Sequence, residues 1–378
     1  MSGILIAGGG LAGAATAIAL AQAGRKVTLI EREAVPTHKI CGEFLSAEAQ
    51  ISLSRLGFNC RTLGGERITH VRLIRGNRSI TAKLPFEGLG LTRKTLDESL
   101  LRHAAAAGVS VQRGHAVQRI SLDGGLHVEV DRSPPLNPET LFLATGKHET
   151  RGVARDGKPS RLVGFKTYFR LSPAQHMALA GHVELFLFPG GYAGLQRVEN
   201  GQANFCLVVE AGLLARAGSK FPALLAHLQN ICPQLAARLA GAEVLLSAPL
   251  TIARVPYGFV HRPRAQDPAN LFRLGDQAAV IPSFTGDGMA IALHSAALAA
   301  EYFLRGETSE TYHRRLARDV SGQIQRATAL HAALSMPLLG PVLFAMARGF
   351  PQALAISATF TRVPEYARLS GAIRHPGP

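Results

Sequence analysis

Residues 3–13 read Gly-Ile-Leu-Ile-Ala-Gly-Gly-Gly-Leu-Ala-Gly, an apolar run followed by glycines in the spacing G-x-G-x-x-G. An alanine-rich stretch and a second apolar run follow, and the second run ends at Glu31. In such a strand–helix–strand unit Gly8 permits the tight turn, Gly10 lets the backbone approach a pyrophosphate, and Gly13 lets helix and strand pack closely. Glu31 stands 18 residues after Gly13, a spacing typical of the acid that binds a ribose hydroxyl. The stretch therefore predicts a dinucleotide-binding fold.

The composition is typical of a well-buried globular protein. The 378 residues exceed what one simple core needs and favour two domains. The formal net charge is +15, but the basic residues are scattered arginines without runs or interleaved aromatics, which disfavours a nucleic-acid partner. The remaining explanations are an anionic cofactor or substrate, an anionic membrane surface, or an arginine-rich genome without functional meaning.

The four cysteines lie far apart, at Cys41, Cys60, Cys206 and Cys232, with no CxxC spacing. Neither a metal site nor a disulfide framework is expected, and a reducing cytoplasm is the expected location. No uninterrupted apolar segment is long enough to span a bilayer, so any contact with the inner membrane face would be peripheral. The oligomeric state, monomer or dimer, is left open.

The order of strand and helix signals predicts an α/β protein with a Rossmann-like nucleotide domain, an inserted and mainly antiparallel β-sheet domain, and a helical C-terminal tail. The nucleotide domain is predicted at residues 1–67, 92–160 and 265–330, the inserted substrate domain at 68–91 and 161–264, and the extension at 331–378. Within these, we expect a helix over residues 46–56, a hairpin of residues 68–75 and 79–84, a helix capped by Thr92, and a long helix over 309–330.

A second signature begins at Gly275-Asp276, where a buried strand ends. Pro282, the paired glycines Gly286 and Gly288, and an alanine-rich helix follow. An aspartate at a strand end can accept a hydrogen bond from a polyol hydroxyl, and the glycines let backbone approach a pyrophosphate or a planar ring. In a chain that opens with a dinucleotide fold, this order and spacing of residues is a highly specific signal of a second nucleotide-binding segment.

From residue 1 to about Leu330 the chain resembles the flavoprotein superfamily of para-hydroxybenzoate hydroxylase-like monooxygenases and geranylgeranyl reductases. The resemblance implies that FAD lies extended, with its adenosine end at the first strand–helix–strand unit and its ring beside the Gly-Asp segment. It assigns cofactor binding to Gly8, Gly10, Ala12, Gly13, Glu31, Arg32, Cys41, Gly42, Arg93, Val117, Gly146, Gly275, Asp276, Pro282, Gly286, Gly288 and Met289. A helix-surface arginine is the alternative interpretation of Arg93.

Two segments resemble the geranylgeranyl reductase branch in particular. Residues 39–43, Lys-Ile-Cys-Gly-Glu, are similar to its Lys-x-Cys-Gly stretch, which implies that Cys41 lies near the flavin, although free cysteines are more often small buried hydrophobes. Gly191-Tyr192 resembles the start of a substrate-domain strand, but Gly194 and Arg197 replace the tryptophan and proline that usually follow. Cys41 and Tyr192 are the catalytic candidates, and His148 and Arg197 are weaker proton-donor candidates.

Other departures limit the resemblance. The Asp-Gly pair usual after the third strand is replaced at residues 144–152, which puts the usual handling of NADPH in doubt. Lys147, His148 and Arg151 there would either present positive charge to a phosphate or belong to a solvated loop. Flavin-dependent halogenases share the scaffold but depend on a Trp-x-Trp motif. Because this chain holds no tryptophan, a halogenase activity is nearly excluded.

The resemblance implies an FAD-dependent oxidoreductase that takes electrons from NAD(P)H or another donor and acts on a hydrophobic isoprenoid, polyketide or aromatic substrate. Reduction of a double bond is the leading hypothesis, hydroxylation by a monooxygenase is the alternative, and a non-catalytic redox sensor using Cys41 is a third. The apolar tail over residues 334–360 would admit a lipid-like substrate, dip into a membrane face, or pack as a helical flap. The aromatics Phe165, Tyr168, Phe186, Phe188 and Phe205 would either roof the substrate cavity or form plain core.

Overall fold

The computed structural model describes residues 3–336, 338–350 and Arg362. The strands in this part of the chain are β1 (Ile4–Ala7), β2 (Val27–Glu31), β3 (Phe44–Leu45), β4 (Glu66–Arg75), β5 (Arg78–Gly90), β6 (Ser110–Arg113), β7 (Val117–Ser121), β8 (His127–Val130), β9 (Thr140–Leu143), β10 (Leu162–Arg170), β11 (Gly181–Phe188), β12 (Gly191–Arg197), β13 (Ala203–Glu210), β14 (Glu243–Val244), β15 (Leu250–Ala253) and β16 (Leu271–Arg273). The helices are α1 (Leu11–Gln22), α2 (Ala47–Arg55), α3 (Arg93–Ala106), α4 (Pro173–Leu179), α5 (Ala211–Arg216), α6 (Phe221–Ile231), α7 (Pro233–Arg238), α8 (Gly288–Leu304), α9 (Ser309–Ser335) and α10 (Leu339–Gly349).

A five-stranded parallel sheet has the order β16–β9–β1–β2–β6. Its central strands are apolar and buried, as expected for a parallel sheet that is covered on both faces. Gly8 follows β1, Ala144 follows β9 and Leu274 follows β16, so all three lie at the carboxyl edge of the sheet. In open parallel sheets this edge is where ligands bind.

The glycines of the first turn are required by close packing. Gly8 has a positive φ of 107°, and a Cβ built on Gly13 would lie 1.8 Å from the Gly8 carbonyl oxygen. Any side chain at Gly13 would therefore push α1 away from β1. This agrees with the packing role predicted for Gly13 from the glycine spacing.

A second, larger sheet has the order β14–β10–β13–β12–β11–β4–β5–β3, and β15 also pairs with β10. All of its pairs are antiparallel except β11 with β4. One face packs against the helices of residues 211–238 through buried phenylalanine and leucine side chains. The predicted fold class, an α/β protein with a mainly antiparallel second sheet and a helical C-terminal region, is confirmed. The boundaries of the predicted domains stay a prediction.

Helix starts and the hairpin follow their local signals. The hydroxyl oxygen of Thr92 accepts a hydrogen bond from Thr95 N at 3.2 Å, which caps α3 as predicted. The turn of the predicted hairpin lies at Gly76-Asn77, between β4 and β5. However, β5 continues to Gly90, beyond the predicted end at Leu84, because its last residues pair with β3 and with the start of β4.

The C-terminal helices extend beyond the predictions. α9 continues to Ser335, five residues past the predicted end at Leu330, and α10 follows within the predicted apolar tail. The rest of that tail, residues 351–360, lies outside the described residues. In the part of the chain that the structure describes, no single helix is long and apolar enough to cross a membrane. Taken together, α9 and α10 are long and apolar enough to cross a membrane, but the two helices are bent by 106° relative to each other.

Candidate active site

A cavity of about 1270 Å³ lies between the two sheets. The carboxyl edge of the parallel sheet, the loop of residues 37–43 and the segment 274–289 line one part of it. The open face of the larger sheet, α9 and α10 line the other part. The cavity therefore joins a glycine-rich compartment to an apolar one.

The structure brings most of the predicted site residues to this cavity. Its lining includes Gly8, Gly10, Ala12, Glu31, Arg32, Cys41, Gly42, Arg93, Val117, Gly146, Tyr192, Gly275, Asp276, Gly286, Gly288 and Met289. Two predicted cofactor residues, Gly13 and Pro282, lie outside the lining, although the neighbours of Pro282 belong to it. Residues that are up to 281 positions apart in sequence thus meet on one surface.

Glu31 closes the glycine turn at the end of β2. Its Oε2 accepts a hydrogen bond from Gly9 N at 2.6 Å, and its Oε1 accepts one from Glu33 N at 3.0 Å. No side chain caps the first turn of α1, which begins after Gly10 and faces the cavity. Free amides and the positive end of the helix dipole are the groups that hold a pyrophosphate.

Arg93 lies beside this turn. Its guanidinium reaches to 3.3 Å from the position of a Cβ on Gly10 and donates two hydrogen bonds to Asp97, at 2.7 and 2.8 Å. Burial acts in the opposite direction, but the Asp97 carboxylate raises the pKa of Arg93, so the charge is kept. Arg93 is therefore not a helix-surface arginine, and its contact with FAD stays a prediction.

The second signature forms the opposite side of the compartment. Gly286 has a positive φ of 73°, and α8 begins at Gly288 without a side-chain cap. The buried Asp287 accepts a hydrogen bond from Arg362 Nη1 at 2.9 Å. Two uncapped helix starts, glycine backbone at both, and the Glu31 carboxylate together are donors and acceptors that fit an extended FAD.

The loop of residues 39–43 is held by side chains from four other segments. Each of its five successive carbonyl oxygens accepts a hydrogen bond from a side-chain nitrogen. The donors are Lys166 Nζ to Lys39 O (2.9 Å), Lys147 Nζ to Ile40 O (2.9 Å), Asn204 Nδ2 to Cys41 O (3.3 Å) and Gly42 O (2.7 Å), and Gln196 Nε2 to Glu43 O (2.7 Å). The backbone around Cys41 is therefore fixed against both sheets.

Glu43 is the buried anchor of this loop, and the sequence analysis did not identify it. Its side chain is fully buried, lies 2.5 Å from Lys166 Nζ, and accepts hydrogen bonds from the Tyr168 hydroxyl and from Arg93 N. Burial raises the pKa of Glu43, and the Lys166 ammonium acts in the opposite direction. The only sequence signal was its position directly after Cys41-Gly42, since Lys166 and Tyr168 are more than 120 residues away.

The loop of residues 144–150 borders the cavity and is tied to two neighbouring segments. Gln277 Nε2 donates to the carbonyl oxygens of Gly146 and His148, at 2.8 and 2.7 Å. Lys147 reaches the Cys41 loop, and Asp276 raises its pKa although burial lowers it. Lys147 is thus a half-buried cation beside the cavity, whereas His148 and Arg151 are exposed, as the solvated-loop alternative expected.

Two cysteines line the cavity. Cys41 Sγ accepts a hydrogen bond from Glu43 N at 3.4 Å. Cys206, which the sequence analysis did not assign to the site, lies on β13, and burial raises its pKa to about 11, so this thiol stays protonated at neutral pH. Cys41 therefore lies in the glycine-rich compartment, where its sulfur accepts a hydrogen bond.

The apolar compartment is built by strand alternation. Val183, Leu185 and Leu187 of β11 line the cavity, whereas Phe186 and Phe188 point to the opposite face and belong to the core beneath α5–α7. The predicted aromatic set is therefore plain core, or, in the case of Tyr168, a partner of Glu43. The side chains that β11 presents to the cavity are aliphatic instead.

The two candidates on β12 have different surroundings. Tyr192 lines the cavity, and burial raises the pKa of its hydroxyl well above the ordinary value. Arg197 does not line the cavity and pairs with Glu66 at 2.7 Å, so its weak assignment as a proton donor is wrong. His148 lines the cavity at the end of the 144–150 loop.

Residues 1–132 match the family model for an FAD binding domain. The chain is 25% identical to a menaquinone reductase of Mycolicibacterium smegmatis over 339 residues, which cover 81% of this chain and 77% of that protein. Over 86 residues it is 33% identical to squalene monooxygenase 1,2 of Brassica napus, covering 22% of this chain and 17% of that protein. The flavin-dependent brominase Bmp2 has a TM-score of 0.78 to this structure at 18% identity, covering 95% of this chain and 93% of the brominase.

The likeness to the brominase shows a shared fold. Together with the matched FAD-binding domain, these relatives make the chain an FAD-dependent enzyme of the reductase or monooxygenase kind. Its predicted place in the geranylgeranyl reductase branch stays a prediction.

Proposed function

We propose that this enzyme reduces a double bond in a hydrophobic, isoprenoid-like substrate, using electrons from NAD(P)H or another donor. The observation that carries the proposal is the single cavity, in which a dinucleotide compartment opens into an aliphatic one. A compartment that excludes water suits a substrate without many polar groups. The alignment over most of both chains with a protein named menaquinone reductase supports the reductase assignment.

Each part of the site has a defined task in this proposal. The first turns of α1 and α8 bind the phosphates and the ring of FAD, and Glu31 binds its ribose. Bound FAD supplies the electron transfer. The clamped loop of residues 39–43 fixes the wall between the two compartments, and the aliphatic strands exclude water from the substrate.

The alternative is a monooxygenase that inserts oxygen into the same kind of substrate. The short alignment with a squalene monooxygenase supports it, but covers only 22% of this chain. A halogenase remains the least favoured of these flavoenzyme activities, because the chain holds no tryptophan and so lacks the Trp-x-Trp motif.

The experiment is a turnover assay on the purified yellow protein with a polyprenylated naphthoquinone, with and without oxygen. Gain of two hydrogens in the prenyl chain without oxygen, retained after the quinone ring is reoxidised in air, supports the reductase, and gain of one oxygen atom that requires air supports the monooxygenase. NADH and NADPH are compared as donors in both arms. A protein that stays colourless with excess FAD would overturn both activities.

We also propose that α10 contacts a lipid surface from which the substrate enters. Of the twelve exposed large hydrophobic residues in the described part of the chain, six lie between Met336 and Phe350. In the same helix Leu343, Phe344 and Met346 line the cavity, whereas the exposed Leu339 and Val342 do not. The net charge of +15 favours an anionic membrane as the partner.

A further inference from the structure

Three aromatic side chains meet in the wall of the apolar compartment, each from a different element. Tyr192 comes from β12, Phe284 from the turn before α8, and His331 from α9. The ring centroids are 5.9 Å apart for Tyr192 and Phe284, 5.8 Å for Tyr192 and His331, and 5.8 Å for Phe284 and His331. All three line the cavity, and Phe284 stands between Pro282 and Gly286, in the segment assigned to the flavin.

The Tyr192 hydroxyl is a buried polar group without a hydrogen bond to the described residues. The side chain is 7% exposed and is otherwise surrounded by apolar neighbours such as Leu73 and Leu187. The Ser283 hydroxyl lies close enough to lower the pKa of Tyr192 against the effect of burial, but its hydrogen bond is to the Tyr257 hydroxyl, at 3.0 Å. A buried hydroxyl without a partner destabilises a fold, so a native site of this kind calls for a ligand or water as partner.

His331 gives the same wall a second polar group. Within the described part of the chain, neither of its ring nitrogens makes a hydrogen bond. Burial lowers the pKa of His331, although the Glu210 carboxylate acts in the opposite direction, so the ring is neutral near pH 7. A neutral imidazole offers one donor and one acceptor.

We propose that Tyr192 and His331 together bind the oxygen atom of an otherwise hydrophobic substrate, at the end of the apolar compartment next to the flavin segment. This inference rests on the proposed function and narrows its substrate class to molecules with a carbonyl or hydroxyl oxygen on an apolar body. Pure hydrocarbons would leave both groups unpaired and would be rejected relative to their oxygenated analogues. His331 is thereby assigned to the site as a specificity-determining residue.

The test compares two probes on the holoenzyme: 2-methyl-1,4-naphthoquinone, and 2-methylnaphthalene, which has the same rings and methyl group without the oxygens. Binding is followed by calorimetry, and the flavin absorbance confirms that each variant keeps its cofactor. Tyr192→Phe and His331→Leu are each expected to weaken quinone binding about five- to tenfold, the usual contribution of one hydrogen bond, and to leave hydrocarbon binding unchanged. His331→Gln, which keeps a donor and an acceptor, should restore most of the quinone affinity.

Thr328→Ala is the matched control, because Thr328 lies on α9 three residues before His331, does not line the cavity, and its hydroxyl donates a hydrogen bond to the Ile324 carbonyl oxygen. This variant should bind both probes as the unaltered protein does. Equal losses for both probes, no loss for either, or no quinone binding to the unaltered yellow protein would overturn the inference. A colourless protein would instead overturn the proposed function, so the two failures are distinguishable.

Discussion

The Glu43 carboxylate shows how one buried residue can position a whole loop. The backbone of Glu43 has a left-handed conformation with φ of 59°, which is rare for residues other than glycine. Its contacts with Lys166, Tyr168 and Arg93 N overcome this local preference. Because Glu43 directly follows Cys41-Gly42, the geometry of this part of the cavity wall depends on the Glu43 network.

Removal of the cation from this network should destabilise the protein strongly. Lys166→Met leaves a buried carboxylate without its partner, which typically costs about 3–5 kcal/mol of unfolding free energy. The double variant Glu43→Gln/Lys166→Met should recover part of this loss, because both charges are removed. Urea unfolding gives the free energies, and titration with FAD shows whether the loop supports cofactor binding.

The matched control for Lys166 is Arg170→Met on the same strand. Arg170 and Glu243 form an exposed ion pair, with side chains 63% and 62% exposed, and such pairs contribute about 0–1 kcal/mol. Equal losses of stability for Lys166→Met and Arg170→Met would contradict the role assigned to Glu43.

At the scale of elements, alternation along β11 decides which side chains reach the substrate. A shift by one residue would place Phe186 and Phe188 in the cavity and the leucines in the core. The alternation was visible in the sequence, but the choice of face was not, because both faces of this strand are apolar. Only the position of the helices α5–α7 on one side decides it.

The exposed side of α10 carries the element-scale prediction. Leu339→Gln/Val342→Gln removes two apolar side chains that are 40% and 54% exposed and do not line the cavity. If this side enters a membrane, each lost side chain weakens binding by about 1–2 kcal/mol, so affinity for vesicles with anionic lipid should fall more than tenfold. Vesicle flotation measures the bound fraction.

Met177→Gln is the control for α10, since Met177 is 71% exposed on α4 and has no part in the proposed surface. It should leave vesicle binding unchanged. If the α10 variant floats with vesicles as well as the unaltered protein does, the membrane contact of α10 is excluded.

For the molecule as a whole, two buried histidines predict a loss of stability in acid. Burial lowers the pKa of His261 to about 4, and burial also lowers the pKa of His313 well below its ordinary value. The unfolded chain takes up these protons below about pH 6.5 while the folded protein does not, so acid favours unfolding. Between pH 7.5 and 5, His261 alone should cost about 2 kcal/mol of unfolding free energy.

The measurement is urea unfolding at both pH values, for the unaltered protein and for His261→Gln. Each protein is compared with itself: the quantity measured is the change in its unfolding free energy between pH 7.5 and pH 5. This change should be smaller in the variant by about 2 kcal/mol. An identical pH dependence in both proteins would show that His261 takes up its proton in the folded state.

The sequence alone predicted the opening glycine turn, the helix caps and the β4–β5 hairpin. Each of these depends on residues that are close together in the chain. The same holds for the second glycine signature, whose spacing is local. The length of β5 and the end of α9 did not follow, since strand pairing with β3 and packing against α8 and α10 extend them beyond their local signals.

The sequence by itself determined the class of cofactor, because the dinucleotide-binding turn and the acidic residue Glu31 both lie within the first 31 residues. Only the tertiary structure decided how the Cys41 loop is held, since its donors Lys147, Lys166, Gln196 and Asn204 are more than 100 residues away in sequence. It also decided that Tyr192 and His331 face one compartment. Contacts between distant side chains depend on how two sheets meet, and no local pattern encodes that arrangement.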